Sequence, residues 1–156
     1  MTFRVIGLDI APFLPLFGLA EKELHDRSAR RIVADESKPG YPCRVSLEEA
    51  NPGETLLLVN YEHQAASTPY RSSHAIFVRE SVRRTFIGVG NVPEMMRTRL
   101  LSIRAFNANG MMVDADVVDG SCAEPLIERL LARSGAAYLH THFAKRGCYA
   151  ARIERV

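Results

Sequence analysis

Apolar and polar positions along the chain mark out a series of short strands with few helices between them. Phe3 to Leu8 reads as a short strand, and Pro12 to Phe17 as one helical turn with proline near its start and Gly18 at its end. A second short helix runs from Ala20 to about Arg27 and leads into an extended segment from Ala29 to Ala34. Ser37 to Cys43 is rich in proline and glycine and reads as a loop. Asn51-Pro52-Gly53 then makes a turn. Thr55 to Glu62 is the clearest strand, because Leu56, Leu57, Leu58 and Val59 are apolar on both parities, which predicts burial on both faces. After a polar loop from Gln64 to Ser73, His74 to Arg79 reads as another strand.

The second half of the chain is patterned more regularly. Leu100 to Phe106 and Met111 to Val118 form a predicted hairpin across Asn109-Gly110, a strong local turn signal. In its second strand Met111, Val113, Ala115 and Val117 alternate with Asp114 and Asp116, which predicts one wet face. Ser121 to Ser134 is the best-defined helix. Ser121 with Glu124 makes a capping box, Leu126, Ile127, Leu130 and Leu131 an apolar stripe, and Gly135 a left-handed stop. Tyr138 to Phe143 and Cys148 to Ile153 pair as a hairpin across Lys145-Arg146-Gly147. Strands without regular βαβ alternation, one well-capped helix at about 121–134 and short N-terminal helical turns together predict an α+β fold that is mostly antiparallel sheet.

Composition changes this picture little. A chain of 156 residues, 47% hydrophobic and 24% charged, has the proportions of a single globular domain over 1–156. A formal net charge of +2 with scattered Arg singles and pairs gives no nucleic-acid footprint. No stretch approaches the roughly 20 apolar residues that span a bilayer. The apolar run from Ile10 to Ala20 is interrupted by Pro12 and Pro15, which argues against a signal peptide. Three widely spaced cysteines, Cys43, Cys122 and Cys148, make no C-x-x-C pair and fit reduced thiols in a cytoplasmic protein.

The C-terminal hairpin carries the sharpest chemical signal. His140 and His142 project from the same strand face, together with Tyr138, roughly 7 Å apart along the strand. Two imidazoles so placed can share a metal if a third ligand converges on them. His63, His74, Glu62 and Cys43 are candidates for that third ligand, each at the end of a predicted strand. The alternative is that both histidines face solvent. Cys43, next to Arg44, is a candidate nucleophile, and with His63 it would make a Cys-His catalytic pair. The alternative for Cys43 is a small buried hydrophobe. Arg71, in the loop Pro69-Tyr70-Arg71-Ser72-Ser73-His74, could bind a carboxylate or phosphate, or merely form a polar turn.

Several segments combine into a resemblance. Gly40-Tyr41-Pro42-Cys43-Arg44-Val45-Ser46-Leu47, Leu57 to His63, Pro69-Tyr70-Arg71 with Ala75 to Arg79, and His140-Thr141-His142 with Gly147 to Arg152 occur in an order that resembles the bacterial domain of unknown function 1203 family. The resemblance implies one full-length domain in a cytosolic bacterial setting. It brings no activity, cofactor or catalytic residue with it. Three function classes therefore stand. One is a ligand-binding or enzymatic domain with a polar pocket around Cys43, Arg44, His63, Arg71, Tyr138, His140 and His142, taking a small-molecule ligand. Another is a metal-binding protein using His140 and His142. The third is a non-catalytic interaction module that pairs with a second copy of itself as a homodimer. None implies nucleic-acid or membrane binding, and the cofactor, if any, is open.

Overall fold

In the computed structural model, which describes residues 2–156, the alternating patterns become two antiparallel sheets. The elements run β1 (Phe3–Ile6), α1 (Glu21–Asp26), β2 (Ala29–Val33), β3 (Thr55–Gln64), β4 (Ser72–Arg79) and β5 (Ile87–Val89). They continue with α2 (Glu94–Arg97), β6 (Leu100–Phe106), β7 (Met112–Asp119), α3 (Ala123–Ala132), β8 (Tyr138–Phe143) and β9 (Tyr149–Arg155). Single 3-10 turns occupy Leu14–Leu16 and Gly120–Cys122. A six-stranded sheet has the order β5-β1-β9-β8-β6-β7, and a three-stranded sheet the order β2-β3-β4. Few helices and antiparallel pairing make this an α+β fold.

Burial explains the arrangement. One core packs Met95, Met96, Ile127, Leu130 and Leu131 of α2 and α3 against Leu101, Ile103, Leu139 and Ile153 of the large sheet. A second gathers Leu57, Val59, Ile76 and Val78 of the small sheet with Phe13, Leu24 and Val45. The segment from Pro42 to Val45 stitches the two sheets together. Cys43 bridges to Phe77 of β4, while the Leu8 N–H donates to Arg44 O at 2.8 Å and the Phe86 N–H to Val45 O at 2.9 Å. Contact there is so close that a Cβ on Gly7 would lie 2.2 Å from Val45 O. With β9 and β6 on either side of it, β8 is buried at all six residues. His140 and His142 therefore do not face solvent.

Two local expectations need correction. The capping box at Ser121 does not form. The Asp119 carboxylate, a stronger acceptor two residues earlier, takes the Ser121 N–H at 2.9 Å and its hydroxyl at 2.6 Å, while Glu124 pairs with Arg97. The chain consequently enters α3 through the Gly120–Cys122 turn, and the helix begins at Ala123. The faces of β7 are also shifted, because a register break leaves Val113 without a cross-strand partner. Beyond it, Asp114, Asp116 and Val118 share the side of Ala105, Ile103 and Leu101, where Arg129 of α3 meets both aspartates. Ala115 and Val117 turn to the other side, and Val117 is exposed. β5 and α2, which hydrophobic patterning did not predict, complete the large sheet's edge and its helical layer.

Candidate metal centre

Strand periodicity puts His140 and His142 on one face of β8, and the small sheet supplies a third imidazole. In the β3–β4 pairing, Glu62 faces Ser73 and Gln64 faces Ser72, so His63 is the extra residue of a β-bulge. Such bulges re-aim a side chain, and His63 reaches across to the large sheet. One ring nitrogen from each of His63, His140 and His142 can be chosen so that all three lie within 4.8 Å of one another. A second irregularity, between Thr141 and His142 in the β8–β9 pairing, flanks the group on the opposite side. Tyr149 forms its floor. Its ring stacks on His63 at 5.2 Å and meets His140 and His142 edge-on at 5.1 and 5.8 Å.

The imidazoles are held neutral. Burial, reinforced by Arg104 and His74, pushes His63 from the ordinary 6.5 down to about 4. Burial, with His142 and Arg152 nearby, takes His140 to about 3. Burial also outweighs the Gly147 carbonyl at His142 and takes it to about 3. That carbonyl lies 2.9 Å from His142 Nδ1. Because a carbonyl only accepts, Nδ1 carries the proton and Nε2 presents its lone pair, the arrangement common in metal-ligating histidines. The Nδ1 atoms of His63 and His140 are buried without any hydrogen-bond partner. A buried polar atom left unpaired costs free energy, and a cation would satisfy nitrogens in such a position. A zinc ion at about 2.0–2.1 Å from each nitrogen holds them roughly 3.3 Å apart in a tetrahedral site, so small side-chain rotations would close the group.

The other sequence candidates fall in different places. Cys43 is fully buried in the second core, where its sulfur accepts from the Arg79 N–H at 3.4 Å instead of joining the histidines. Its side chain takes the small-hydrophobe alternative, and no Cys43–His63 pair is assembled. The Arg44 guanidinium turns away from its neighbour in sequence and meets Cys148 Sγ at 3.0 Å. It is linked to the histidine group through Tyr149, whose carbonyl accepts from Arg44 Nε at 2.7 Å. Arg71 is exposed and bound to Glu62 at 2.9 Å, so neither joins the site. Tyr138 does belong to its wall: its ring lies 5.1 Å from His140, and its hydroxyl accepts from Gln64 at 2.9 Å. His74 Nδ1 donates to the Ala75 carbonyl at 3.3 Å and makes no part of the group.

Tyr149 and the charged pair flanking His140 were not singled out from sequence. Arg104 of β6 and Arg152 of β9 stand opposite His140 in register, and cross-strand partners share a face. Their signal was available only through pairing, since 104 and 152 lie far from 140 along the chain. No helix among the described residues is long and apolar enough to cross a membrane. Neither the curated proteins nor the solved structures contain a match to this chain. A family model does match, over residues 40–155, and so takes in all three histidines, both bulges and Tyr149. By that match the chain belongs to the family described as Protein of unknown function (DUF1203).

Proposed function

We propose that this is a metalloprotein in which His63, His140 and His142 hold one divalent transition metal and leave a coordination position open for water. The convergence of three ring nitrogens within 4.8 Å carries the reading. Three neutral imidazoles form the ligand set of catalytic zinc, and a metal so ligated lowers the pKa of bound water to about 7. With no carboxylate in the ligand set, the centre keeps its full positive charge, and Arg104 adds to it, while Arg152 is paired with Glu154 at 2.6 Å. That electrostatic setting favours an anionic substrate and metal-assisted hydrolysis. Three free cysteines support a reducing compartment, and the family resemblance supports a bacterial cytoplasm. The homodimer reading has weaker support. One end strand of the large sheet, β5, is only three residues long, and the other, β7, carries three aspartates.

The test is metal analysis of protein prepared without an affinity tag, followed by cobalt titration of the metal-free form. Expected are about one metal per chain and a cobalt spectrum of low coordination number, as three-histidine sites give. Metal at 100 times its Kd should add about 2.7 kcal/mol of stability, or about 5–10 °C in Tm for a chain of this length. His63→Ala and the His140→Ala/His142→Ala pair should each abolish the spectrum. Uptake that survives both variants, or no uptake by the metal-free protein, would falsify the assignment.

A further inference from the structure

A cavity of about 520 Å³ opens elsewhere in the fold, and its chemistry is distinct from that of the histidine group. Five cationic side chains line it: Lys38, Arg44, Arg99, Lys145 and Arg146. No aspartate or glutamate is among its lining residues. The rest of the wall is largely apolar, with Phe77, Leu100 and Phe143 prominent.

Arg44 is the unusual member. Its side chain is fully buried, and its partners are the Tyr149 carbonyl, the Pro42 carbonyl and the Cys148 sulfur. None of these is a carboxylate. A buried guanidinium without a counter-charge is costly, and burial accordingly lowers its pKa to about 10, which still leaves it cationic at neutral pH. Arg99 stands across the same aromatic ring, each guanidinium carbon lying 4.9 Å from the centre of Phe143. Arg99 differs in having an acidic partner, Glu49. The cavity thus offers one uncompensated buried cation, further cations around it and an apolar wall, in a volume suited to a small ligand.

We infer that this cavity binds a small organic anion, with a carboxylate or phosphate head at Arg44 and an apolar body against Phe77 and Phe143. Guanidinium groups match both heads through paired N–H donors. The Cys148 thiol, on the cavity wall beside Arg44, reports on occupancy. The inference is independent of metal at the histidine group.

Alkylation of the intact folded protein tests it, with rates read per cysteine by mass spectrometry. In the reaction the deprotonated Cys148 sulfur attacks the reagent's methylene carbon and forms an S–C bond. Iodide leaves with the bonding pair, and the thiol proton passes to buffer. Iodoacetate carries a carboxylate and iodoacetamide does not. Exposed Cys122, outside the cavity, is the internal reference. Cys148 is buried but 7% exposed and lines the cavity, whereas Cys43 is 0% exposed, lies outside it and should stay unreacted. The iodoacetate-to-iodoacetamide rate ratio at Cys148 should exceed that at Cys122 about tenfold or more, as charge-focusing clefts concentrate anions. Phenyl phosphate should slow the reaction at Cys148, and benzyl alcohol should not. Lys145→Gln with Arg146→Gln should cut the ratio severalfold while leaving Tm unchanged, so the result does not depend on an Arg44 variant that fails to fold. Equal ratios at the two cysteines, equal protection by benzyl alcohol, or no reaction of Cys148 with either reagent would each overturn the inference.

Discussion

Tyr149 touches all three histidines through its ring, so it governs their geometry without supplying a ligand atom. Its phenol is buried, and burial raises its pKa, so the ring acts through packing at neutral pH. Tyr149→Phe keeps every ring contact and should hold zinc affinity within about twofold, whereas Tyr149→Ala should lower it roughly 10–100-fold, the usual loss when a ligand's support is removed. Competition with a chromogenic chelator measures both. The alanine variant should also lose about 3–5 kcal/mol of stability by leaving a cavity. At this scale the sequence was half legible. His140 and His142 followed from a period of two, but His63 stood among four possible partners. Nothing in its neighbours Glu62 and Gln64 tells that a bulge will point it at the other sheet. Arg44 was legible as a cation beside a cysteine, yet the cysteine it meets is Cys148, supplied by a distant hairpin turn.

Among the elements, the approach of α2 to the turn before α3 sets how the helical layer covers the large sheet. Gly120 allows it, since a Cβ there would stand 1.8 Å from Met96 O and 2.7 Å from Arg99 O, both backbone atoms that cannot rotate away. Gly120→Ala should therefore destabilise the fold by about 2–4 kcal/mol, at the upper end for single substitutions. Urea denaturation would show it as a lower midpoint with the slope retained. The strands were readable because hydrophobic runs and turn residues such as Asn109-Gly110 act locally. The start of α3 was misread because two carboxylates compete for the Ser121 N–H and Asp119 outcompetes Glu124, a choice that spacing alone does not reveal. β7 was misread for a similar reason: one unpartnered residue, Val113, exchanges the two faces beyond it.

For the whole molecule, acid stability depends on carboxylates that join distant segments. Burial alone would raise Glu54, but the Asn51 N–H, Arg79 and Ser81 together outweigh it and hold its pKa below the ordinary 4.5. Its bonds to Arg79, at 2.8 and 3.0 Å, tie the start of β3 to the end of β4. A depressed folded-state pKa contributes stability that is present above about pH 4.5 and lost as pH falls through the folded value. Denaturant titrations between pH 3 and 7 should show that loss. Glu54→Gln should be less stable at pH 7 and show a shallower acid decline. An unchanged decline would remove Glu54 from the account. The α+β class was legible at this scale, because burial and alternation accumulate over many residues. The packing of one sheet on the other was not, and the candidate site depends on that packing.

The three histidines belong to two different sheets, two to β8 and one to β3. Neither sheet alone can present more than two imidazoles, so a partly assembled chain offers at best a weak, bidentate hold on a metal ion. On the proposed reading, tight retention would require both sheets packed together, with His63 stacked on Tyr149. In the cell, such an ion would act as a latch between the two layers, kept by molecules whose sheets are packed together and released by those whose layers have come apart.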